Sequence, residues 1–496
     1  MGSRVGMAWG WATCRGSSNR MISMEKDMEE RPGRGAARTW SPRTTPRITR
    51  ARAIRGALAM TATVAMLLAV PGCGPDRANS DKAQPRILII GIDGASPRVT
   101  FPMMKAGKLP HLAKLAAQGV SGPLRSILPL YSPRIWNTIA TGRTAPEHGI
   151  PAFVHETPDG ERTLYLSSDR RVPALWNILS AAGRTVGVVN WWTTYPPEEI
   201  NGVMVSDHFF PEQITTFKKF FKDRKASEGA LLHPVSWAPR AEERLLDPTH
   251  PTDFRDFLLD NEALPHWLVR PTLSQQFVTD EKIVRVALGL QADYRPDVLM
   301  VYLPGIDRVS HWLWGNIEPA ELYPPNVQPN DDERRAGAEA LHNYYAFTDA
   351  LIGRLVEGYG PEDLILVVSD HGFEAGVGLT VLTGSHNTLK AVDGILFARG
   401  RGIPADWPAG PVNVYEIAPS ILAFAGLPVA RDMVAGPAPF IGQGEFESVA
   451  SYDEIPIERY APAKSGNEED IIEHLRALGY LEEKTPPQAD ERLPAP

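Results

Sequence analysis

The stretch ILIIGIDGAS, Ile87–Ser96, decides the fold, because a continuous apolar run stops abruptly at Asp93-Gly94. Similar runs, rich in Val, Ile and Leu, recur at RTVGVVNWW (Arg184–Trp192), DVLMVYLPGID (Asp297–Asp307) and DLILVVSDHG (Asp363–Gly372). Runs of this kind are typical of strands that helices cover on both faces. Helical patterns lie between them at Leu109–Gln118, Ala174–Ala182, Lys282–Leu290 and Arg335–Glu357. The alternation predicts an α/β fold with a central, mostly parallel sheet sandwiched by helices.

The composition narrows the classes of protein to consider. The 496 residues are 43% hydrophobic and 22% charged, with a net charge of −8, which is ordinary for a globular protein. This mildly acidic balance gives no reason to expect nucleic acid binding. Cys14 and Cys73 are the two cysteines, and they form neither a thiolate metal motif nor a disulfide framework. Any metal ligands are therefore expected to be Asp, Glu or His.

The amino-terminal part of the chain reads as a targeting region. Residues 1–56 lack apolar periodicity and are interpreted as a disordered leader or an over-long translation start. Residues 57–73 combine an Arg-flanked run of fourteen largely apolar residues with Pro-Gly-Cys, which is typical of a secretory signal and short for a span of a roughly 30 Å bilayer core. The ending VPGC resembles a bacterial lipobox. We expect a mature protein lipid-anchored at Cys73, on the periplasmic or extracellular face of the envelope, with residues 74–85 as a tether.

The remaining chain divides into a main α/β domain and a carboxyl-terminal extension. The domain is expected over residues 86–445, with residues 208–280 inserted as a cap that covers the strand ends and shapes the substrate pocket. The basic aromatic patch Phe217–Lys225 in that cap is interpreted as a solvated helix face, with membrane contact as the alternative. Residues 446–496 form the extension, in which the pattern predicts a helix over 468–481.

Ser132 is the candidate nucleophile. It lies in ILPLYSPRIWNTIATGRTAPEHGI, Ile127–Ile150, where a short apolar run breaks and a helical segment, Ile135–Ala140, ends at Thr141-Gly142. A serine after a strand and at the start of a helix faces the positive end of the helix dipole, which suits a phosphoryl group. The alternative is that Ser132 only caps the helix.

Asp and His residues follow several of the predicted strands. Asp307 and His311 are four residues apart, so one turn of helix brings both to one face. Oxygen and imidazole ligands suit a divalent ion, zinc above all, with manganese or iron as alternatives. Each position alone could be a turn or cap residue, but their joint occurrence favours two ions. The candidate ligands are Asp93, Asp307, His311, Asp370, His371 and His386. Val205–His208 resembles Val368–His371 but is assigned to the entrance of the insertion.

The ordered motifs GIDG, YSPRIWNTIATGRTAPEHGI, PGIDRVSH, VVSDHG and GSHN resemble the alkaline phosphatase superfamily, and within it the type I phosphodiesterase/nucleotide pyrophosphatase branch. The resemblance covers roughly residues 87–441. It implies one metal held by Asp307, His311 and His386, and a second held by Asp93, Asp370 and His371 that also contacts Ser132. Where nucleotide pyrophosphatases place an Asn three residues after the nucleophile, this chain has Ile135, so Arg134 or Asn137 is expected to contact the phosphate instead.

The resemblance implies metal-dependent hydrolysis of a phosphate ester through a phosphoserine intermediate. A diester is favoured as substrate, with Ile135, Trp136 and the aromatic insertion expected to offer apolar surface for its second substituent. A phosphomonoesterase and an envelope phosphotransferase remain alternatives with the same first step. A sulfatase ranks lower because Ser132-Pro133-Arg134 lacks the spacing of its motif. A non-catalytic, metal-stabilised envelope binding protein is the alternative from a different class.

Overall fold

The computed structural model describes residues 84–157, 160, 162–210, 229–246, 257, 264, 273–325, 328–376, 383–408, 410–442, 444–465, 468–477 and 480. The expected leader, signal segment, Cys73 anchor and most of the tether lie outside the described residues, as does the basic patch Phe217–Lys225. Within the described chain no helix has the length and hydrophobicity needed to cross a membrane.

Ten strands of the described chain form one sheet, which confirms the predicted fold class. Its centre is parallel: β1 (Ile87–Ile92) lies between β8 (Val298–Leu303) and β9 (Leu364–Val368), and β5 (Val186–Val189) pairs with β8 and β6 (Gly202–Val205). Every residue of β1, β8 and β9 is buried, as expected for strands covered on both faces.

The sheet is antiparallel toward its edges. β12 (Asp393–Arg399) runs antiparallel to both β9 and β2 (Val120–Arg125), and β7 (Leu232–His233) runs antiparallel to β6. β13 (Trp407–Pro408) and β14 (Val412–Asn413) pair with β2. The shorter pairs outside this sheet are β3 (Val154–Glu156) with β4 (Arg162–Leu164), β10 (Glu374–Ala375) with β11 (Gly384–Ser385), and β15 (Val429–Ala430) with β16 (Ser448–Val449).

Helices cover both faces of the sheet, and they pack on it through two large hydrophobic clusters to which strands and helices both contribute. Each of the four predicted helical patterns coincides with an observed helix, namely the second, fifth, seventh and ninth helix of the chain. In chain order the helices are α1 (Pro97–Lys105), α2 (Pro110–Gln118), α3 (Ser132–Thr141), α4 (Ala145–His148), α5 (Leu175–Ala181), α6 (Ala238–Leu246), α7 (Ser274–Tyr294), α8 (Gly305–Leu313), α9 (Asp331–Leu355), α10 (Ile417–Phe424) and α11 (Glu468–Ala477).

Three local expectations need correction. The apolar run before Ser132 is a loop, because β2 ends at Arg125 and Ser132 is the first residue of α3. The expected insertion 208–280 contributes β7 to the sheet edge and the buried Trp237 to a core cluster, so part of it belongs to the fold itself. The predicted helix 468–481 is observed over Glu468–Ala477, and Tyr480 lies in a bend beyond its end.

Candidate metal centre

Four of the six predicted ligands lie at the carboxyl ends of the three central strands, and His386 follows β11 of a separate two-stranded sheet. Asp93 directly follows β1, Asp370 and His371 follow β9, and Asp307 lies in the first turn of α8, just after β8. β1 is hydrogen-bonded to β8 and β9, so these ends meet at one edge, where ligands bind in open α/β sheets. Gly94 permits the tight exit from β1, because its φ is +68° and a Cβ there would lie 2.7 Å from the Phe373 ring.

The six side chains converge in two adjacent groups that could each hold a metal ion. Asp307, His311 and His386 form one group, and Asp93, Asp370 and His371 form the other, with ligand atoms within 4.8 Å of one another in each. Asp307 and His311 share one face of α8, as their spacing predicts. The rings of His371 and His386 stack with centroids 3.8 Å apart, so the two groups adjoin. All six residues are buried.

The donor atoms of these groups fit a cation. His371 Nδ1 lies 3.0 Å from the Gly372 carbonyl oxygen, which can only accept, so Nδ1 carries the proton in the neutral ring. The Nε2 lone pair then faces Asp93 Oδ1 at 3.2 Å and Asp370 Oδ2 at 3.4 Å. Three of the buried atoms in these groups find no hydrogen-bond partner among the described residues, namely Asp307 Oδ1, Asp370 Oδ2 and His371 Nε2. Lone pairs that face one another in this way are stabilised by a positive ion between them.

Electrostatics supports the same conclusion. Burial, and then the charge of Asp93, raises the pKa of both Asp307 and Asp370 well above the usual range of a carboxyl group. Burial lowers the pKa of His311 to about 4, so this imidazole is neutral and able to bind a metal at neutral pH. Three carboxyl groups gathered in a buried site need positive charge, which divalent ions held by these six residues would supply.

Ser132 lies beside the Asp93 group because α3 packs directly on β1. A Cβ at position 91 would lie 2.6 Å from the Trp136 ring, so the glycine at this position of β1 leaves room for the Trp136 side chain of α3. Trp136 also packs edge-on against Tyr302 of β8, with ring centroids 5.2 Å apart. This contact places Ser132 at the end of the sheet, where its hydroxyl donates to Asp93 Oδ1 at 3.4 Å.

The two expected phosphate contacts are placed differently. Asn137 is fully buried, and its side-chain nitrogen donates to the Pro133 carbonyl at 2.7 Å and to Thr193 Oγ1 at 2.6 Å. Neither Arg134 nor Asn137 is among the described residues that line the cavity at Ser132. Their contact with a phosphate therefore stays a prediction that this arrangement does not favour.

A cavity lies beside the two ligand groups, and its lining has a polar part and an apolar part. Asp93, Ser132, Asp307 and Arg308 line the polar part, and Arg308 is the one Arg or Lys side chain among the described residues of the cavity wall. The apolar lining consists of Phe153, Leu164, Trp192, Ile471 and Leu475. Asp207 and His208 also line it, whereas Ile135 and Trp136 are fully buried in a core cluster, which corrects their expected role as apolar substrate surface.

Tyr302 and Asn190 both belong to the site, although the sequence analysis does not single them out. Tyr302 donates a hydrogen bond to Asp93 Oδ2 and accepts one from Trp192 Nε1 at 2.8 Å. It reads as an ordinary apolar residue of β8, so no pattern distinguishes it. Asn190 directly follows β5 and donates to the Tyr302 carbonyl at 3.1 Å. Its position after a strand is the signal that could have found it.

Comparison with solved structures gives distant similarities. A phosphonoacetate hydrolase from Sinorhizobium meliloti 1021 is 18% identical, with 59% of this chain and 57% of that chain covered and a TM-score of 0.35. A 2-O GAG sulfatase is 12% identical, with 74% and 76% covered and a TM-score of 0.47. Human ectonucleotide pyrophosphatase/phosphodiesterase 5 is 12% identical, with 71% and 97% covered and a TM-score of 0.39. This chain thus spans little more than half of the first of these proteins.

The family comparison is more decisive than these structures. No curated protein matches the chain significantly. Residues 87–386, which include β1, Ser132 and all six candidate ligands, match the family described as type I phosphodiesterase/nucleotide pyrophosphatase. The chain therefore belongs to the type I phosphodiesterase/nucleotide pyrophosphatase family of phosphoric ester hydrolases.

Proposed function

We propose that the protein hydrolyses phosphate diesters, with Ser132 as the nucleophile and two divalent metal ions, zinc above all, as cofactors. One observation carries this proposal. Two complete groups of Asp and His side chains adjoin each other at the end of the sheet, and the Ser132 hydroxyl contacts one of them through Asp93, at 3.4 Å.

Each residue of the site has its own role in the proposed reaction. Asp307, His311 and His386 would hold one ion, and Asp93, Asp370 and His371 would hold the other beside Ser132. When bound, such ions lower the pKa of a coordinated hydroxyl and offset negative charge on phosphoryl oxygens. Ser132 starts α3, so its hydroxyl also lies at the positive end of a helix dipole. Arg308, from the polar part of the cavity, offers positive charge to the substrate.

The covalent step uses Ser132 alone. Its oxygen forms a bond to phosphorus while the opposite bond, to the leaving-group oxygen, breaks, and the proton that Ser132 loses balances the one that the released alcohol gains. Water then cleaves the bond between Ser132 and phosphorus and restores the hydroxyl. Tyr302 keeps Asp93 oriented during both steps, because its hydroxyl donates to the second oxygen of that carboxylate.

The apolar part of the cavity supports a diester rather than a monoester. A diester has a second substituent besides the leaving group, and Phe153, Trp192 and Leu475 offer a surface for it in the same cavity. A monoester carries close to two negative charges, for which the described wall offers one guanidinium besides the ions. We expect monoester hydrolysis as a weaker side reaction, and a phosphotransferase would share the first step.

The test is the ratio of kcat/KM for bis-p-nitrophenyl phosphate over p-nitrophenyl phosphate, with p-nitrophenyl sulfate as the control for a sulfatase. We expect a ratio above one and no turnover of the sulfate. In the same assay Ser132→Ala should lose well over tenfold in kcat/KM, where tenfold corresponds to about 1.4 kcal/mol in barrier, while folding and metal content stay unchanged. A ratio below one identifies a monoesterase, and activity of the Ala variant within tenfold of the parent rejects the nucleophile.

We also propose that the mature protein is lipid-anchored at Cys73, outside the cytoplasm. The Arg-flanked apolar run that ends in VPGC supports this localisation. Mass spectrometry of the native amino terminus tests it. We expect an acylated Cys73 as the first residue, and a chain that retains residues before Cys73 contradicts the proposal.

A further inference from the structure

Tyr480 reaches into the first ligand group from the carboxyl-terminal extension, beyond the segment that matches the family. Its phenol oxygen lies 3.0 Å from His311 Nε2 and also contacts His386 Nε2. Asp307 Oδ1 lies 3.5 Å from each of the same two nitrogens. The phenol oxygen and the carboxylate oxygen therefore face the same pair of imidazole atoms.

Hydrogen bonds leave one buried oxygen of this arrangement, Asp307 Oδ1, without a partner among the described residues. His311 Nδ1 lies 3.1 Å from the Gly384 carbonyl oxygen, so Nδ1 carries the proton of the neutral ring and Nε2 presents a lone pair. The phenol of Tyr480 can donate its proton to His311 Nε2, and its oxygen can accept from His386 Nε2 when that ring carries its proton there.

The separations within the group of Asp307, His311 and His386 are close to the edges of a small coordination polyhedron, whereas the contacts of Tyr480 with the two histidines are shorter. A tetrahedral ion with ligand bonds of about 2.0–2.1 Å keeps its ligand atoms about 3.3–3.4 Å apart. The two edges from Asp307 Oδ1 to the imidazoles are 3.5 Å, and the edge from Tyr480 to His311 is 3.0 Å. Three protein ligands would leave a tetrahedral ion one open position, and the phenol oxygen, in contact with both imidazoles, is close enough to be a candidate for it.

The extension holds Tyr480 there through a small apolar cluster. Leu475 of α11 is 3% exposed and packs with Phe153 and Leu164, and the Tyr480 N–H donates to the Leu475 carbonyl at 2.9 Å. The Tyr480 ring packs on Phe153 with centroids 4.6 Å apart. Upstream, Ser465 Oγ lies 2.8 Å from His208 Nδ1 and fixes the start of the segment.

We propose that Tyr480 is a fourth protein ligand of the ion held by Asp307, His311 and His386, so that the carboxyl-terminal extension completes this half of the metal centre. The proposal rests on the proposed function, because it requires that this group binds an ion. It has a chemical consequence for catalysis. A phosphate oxygen that enters this half of the site must displace the phenol or share a five-coordinate ion with it.

The test compares full-length Tyr480→Phe with the parent and with Tyr165→Phe, a control that removes a phenol from the same cavity wall, where its ring packs on His155 and not on a candidate metal ligand. Zn²⁺ affinity is measured by competition with a chromophoric chelator, and the visible spectrum is recorded after loading with Co²⁺. Thermal unfolding verifies that each variant folds.

We expect Tyr480→Phe to bind one of two Zn²⁺ ions at least about tenfold more weakly, and to change the Co²⁺ spectrum, while Tyr165→Phe matches the parent. Equal or tighter Zn²⁺ binding by Tyr480→Phe, with an unchanged spectrum, overturns the proposal, since the phenol is then a bystander or a competitor. A parent chain that binds no ion rejects the proposed function as well, so the two failures are distinguishable.

Discussion

The Tyr302→Phe variant removes the hydrogen bond that orients Asp93, a candidate metal ligand, and leaves Asp93 itself in place. The Tyr302 hydroxyl donates to Asp93 Oδ2, while Ser132 donates to the other oxygen, Oδ1, at 3.4 Å. Phenylalanine keeps the ring that packs on Trp136 and removes only the hydroxyl. The variant therefore frees Asp93 to rotate without opening a large cavity in the core.

The expected magnitude follows from this single bond. A hydrogen bond to a charged group contributes about 1.5–3 kcal/mol, which corresponds to roughly a 10- to 150-fold change in an equilibrium constant. Loss of a hydrogen bond that orients a metal ligand typically weakens metal binding or activity by about 10- to 100-fold. We expect Tyr302→Phe to weaken the binding of the ion held by Asp93, Asp370 and His371 by a factor in this range. Trp192 Nε1 also loses its acceptor, which should lower stability by about 1 kcal/mol.

The assay is Zn²⁺ competition with a chromophoric chelator, together with kcat/KM for bis-p-nitrophenyl phosphate. One of two Zn²⁺ affinities should fall while the other stays within about threefold of the parent, and saturating Zn²⁺ should restore part of the activity. Tyr165→Phe is again the matched control. If Tyr302→Phe keeps both affinities and full activity, Asp93 does not depend on this hydrogen bond and the reasoning is refuted.

Two further predictions concern stability. Glu198→Ala removes the ion-pair partner of the fully buried Arg170, so the free energy of unfolding in urea should fall by about 3–5 kcal/mol. The control is Arg335→Ala, in an ion pair whose side chains are both 74% exposed, and it should change the free energy of unfolding little. Similar losses in the two variants would contradict the argument. Burial lowers the pKa of His148 to about 3, below the value of about 6.5 in an unfolded chain. Its stabilising contribution is therefore full above pH 6.5 and declines as the pH falls toward 3, and His148→Gln should flatten the pH dependence of unfolding in that window. An unchanged slope would reject this role.

Much of the fold and of the candidate site is predictable because local patterns decide it. The apolar runs that become β1, β5, β8 and β9 are long and buried on both faces, and parallel pairing brings their carboxyl ends to one edge. The i, i+4 spacing of Asp307 and His311 is realised within α8. The convergence of five of the six ligands follows from these two rules, whereas His386 follows the short strand β11 of a separate sheet. The roles of all six remain a proposal.

What was missed depends on tertiary packing. Trp136 is expected at the substrate from its neighbours in the chain, but the absence of a side chain on Gly91 lets it sink into the core. Tyr302 and Tyr480 meet ligands 209 and 169 residues away along the chain, Asp93 and His311 respectively, and no local pattern encodes such contacts. Part of the expected insertion became β7, because a two-residue strand is too short to leave a periodic signal.

The central claim is that Ser132 forms a covalent bond to phosphorus at a metal centre. Its most direct test is rapid acid quenching of the Zn²⁺-loaded protein during turnover of bis-p-nitrophenyl phosphate, followed by mass spectrometry of the peptide that contains Ser132. We predict an adduct of the p-nitrophenyl phosphoryl group on Ser132 that is absent from Ser132→Ala and from protein stripped of metal. Turnover by the parent with an unmodified Ser132 throughout, and equal turnover by Ser132→Ala, would contradict the account.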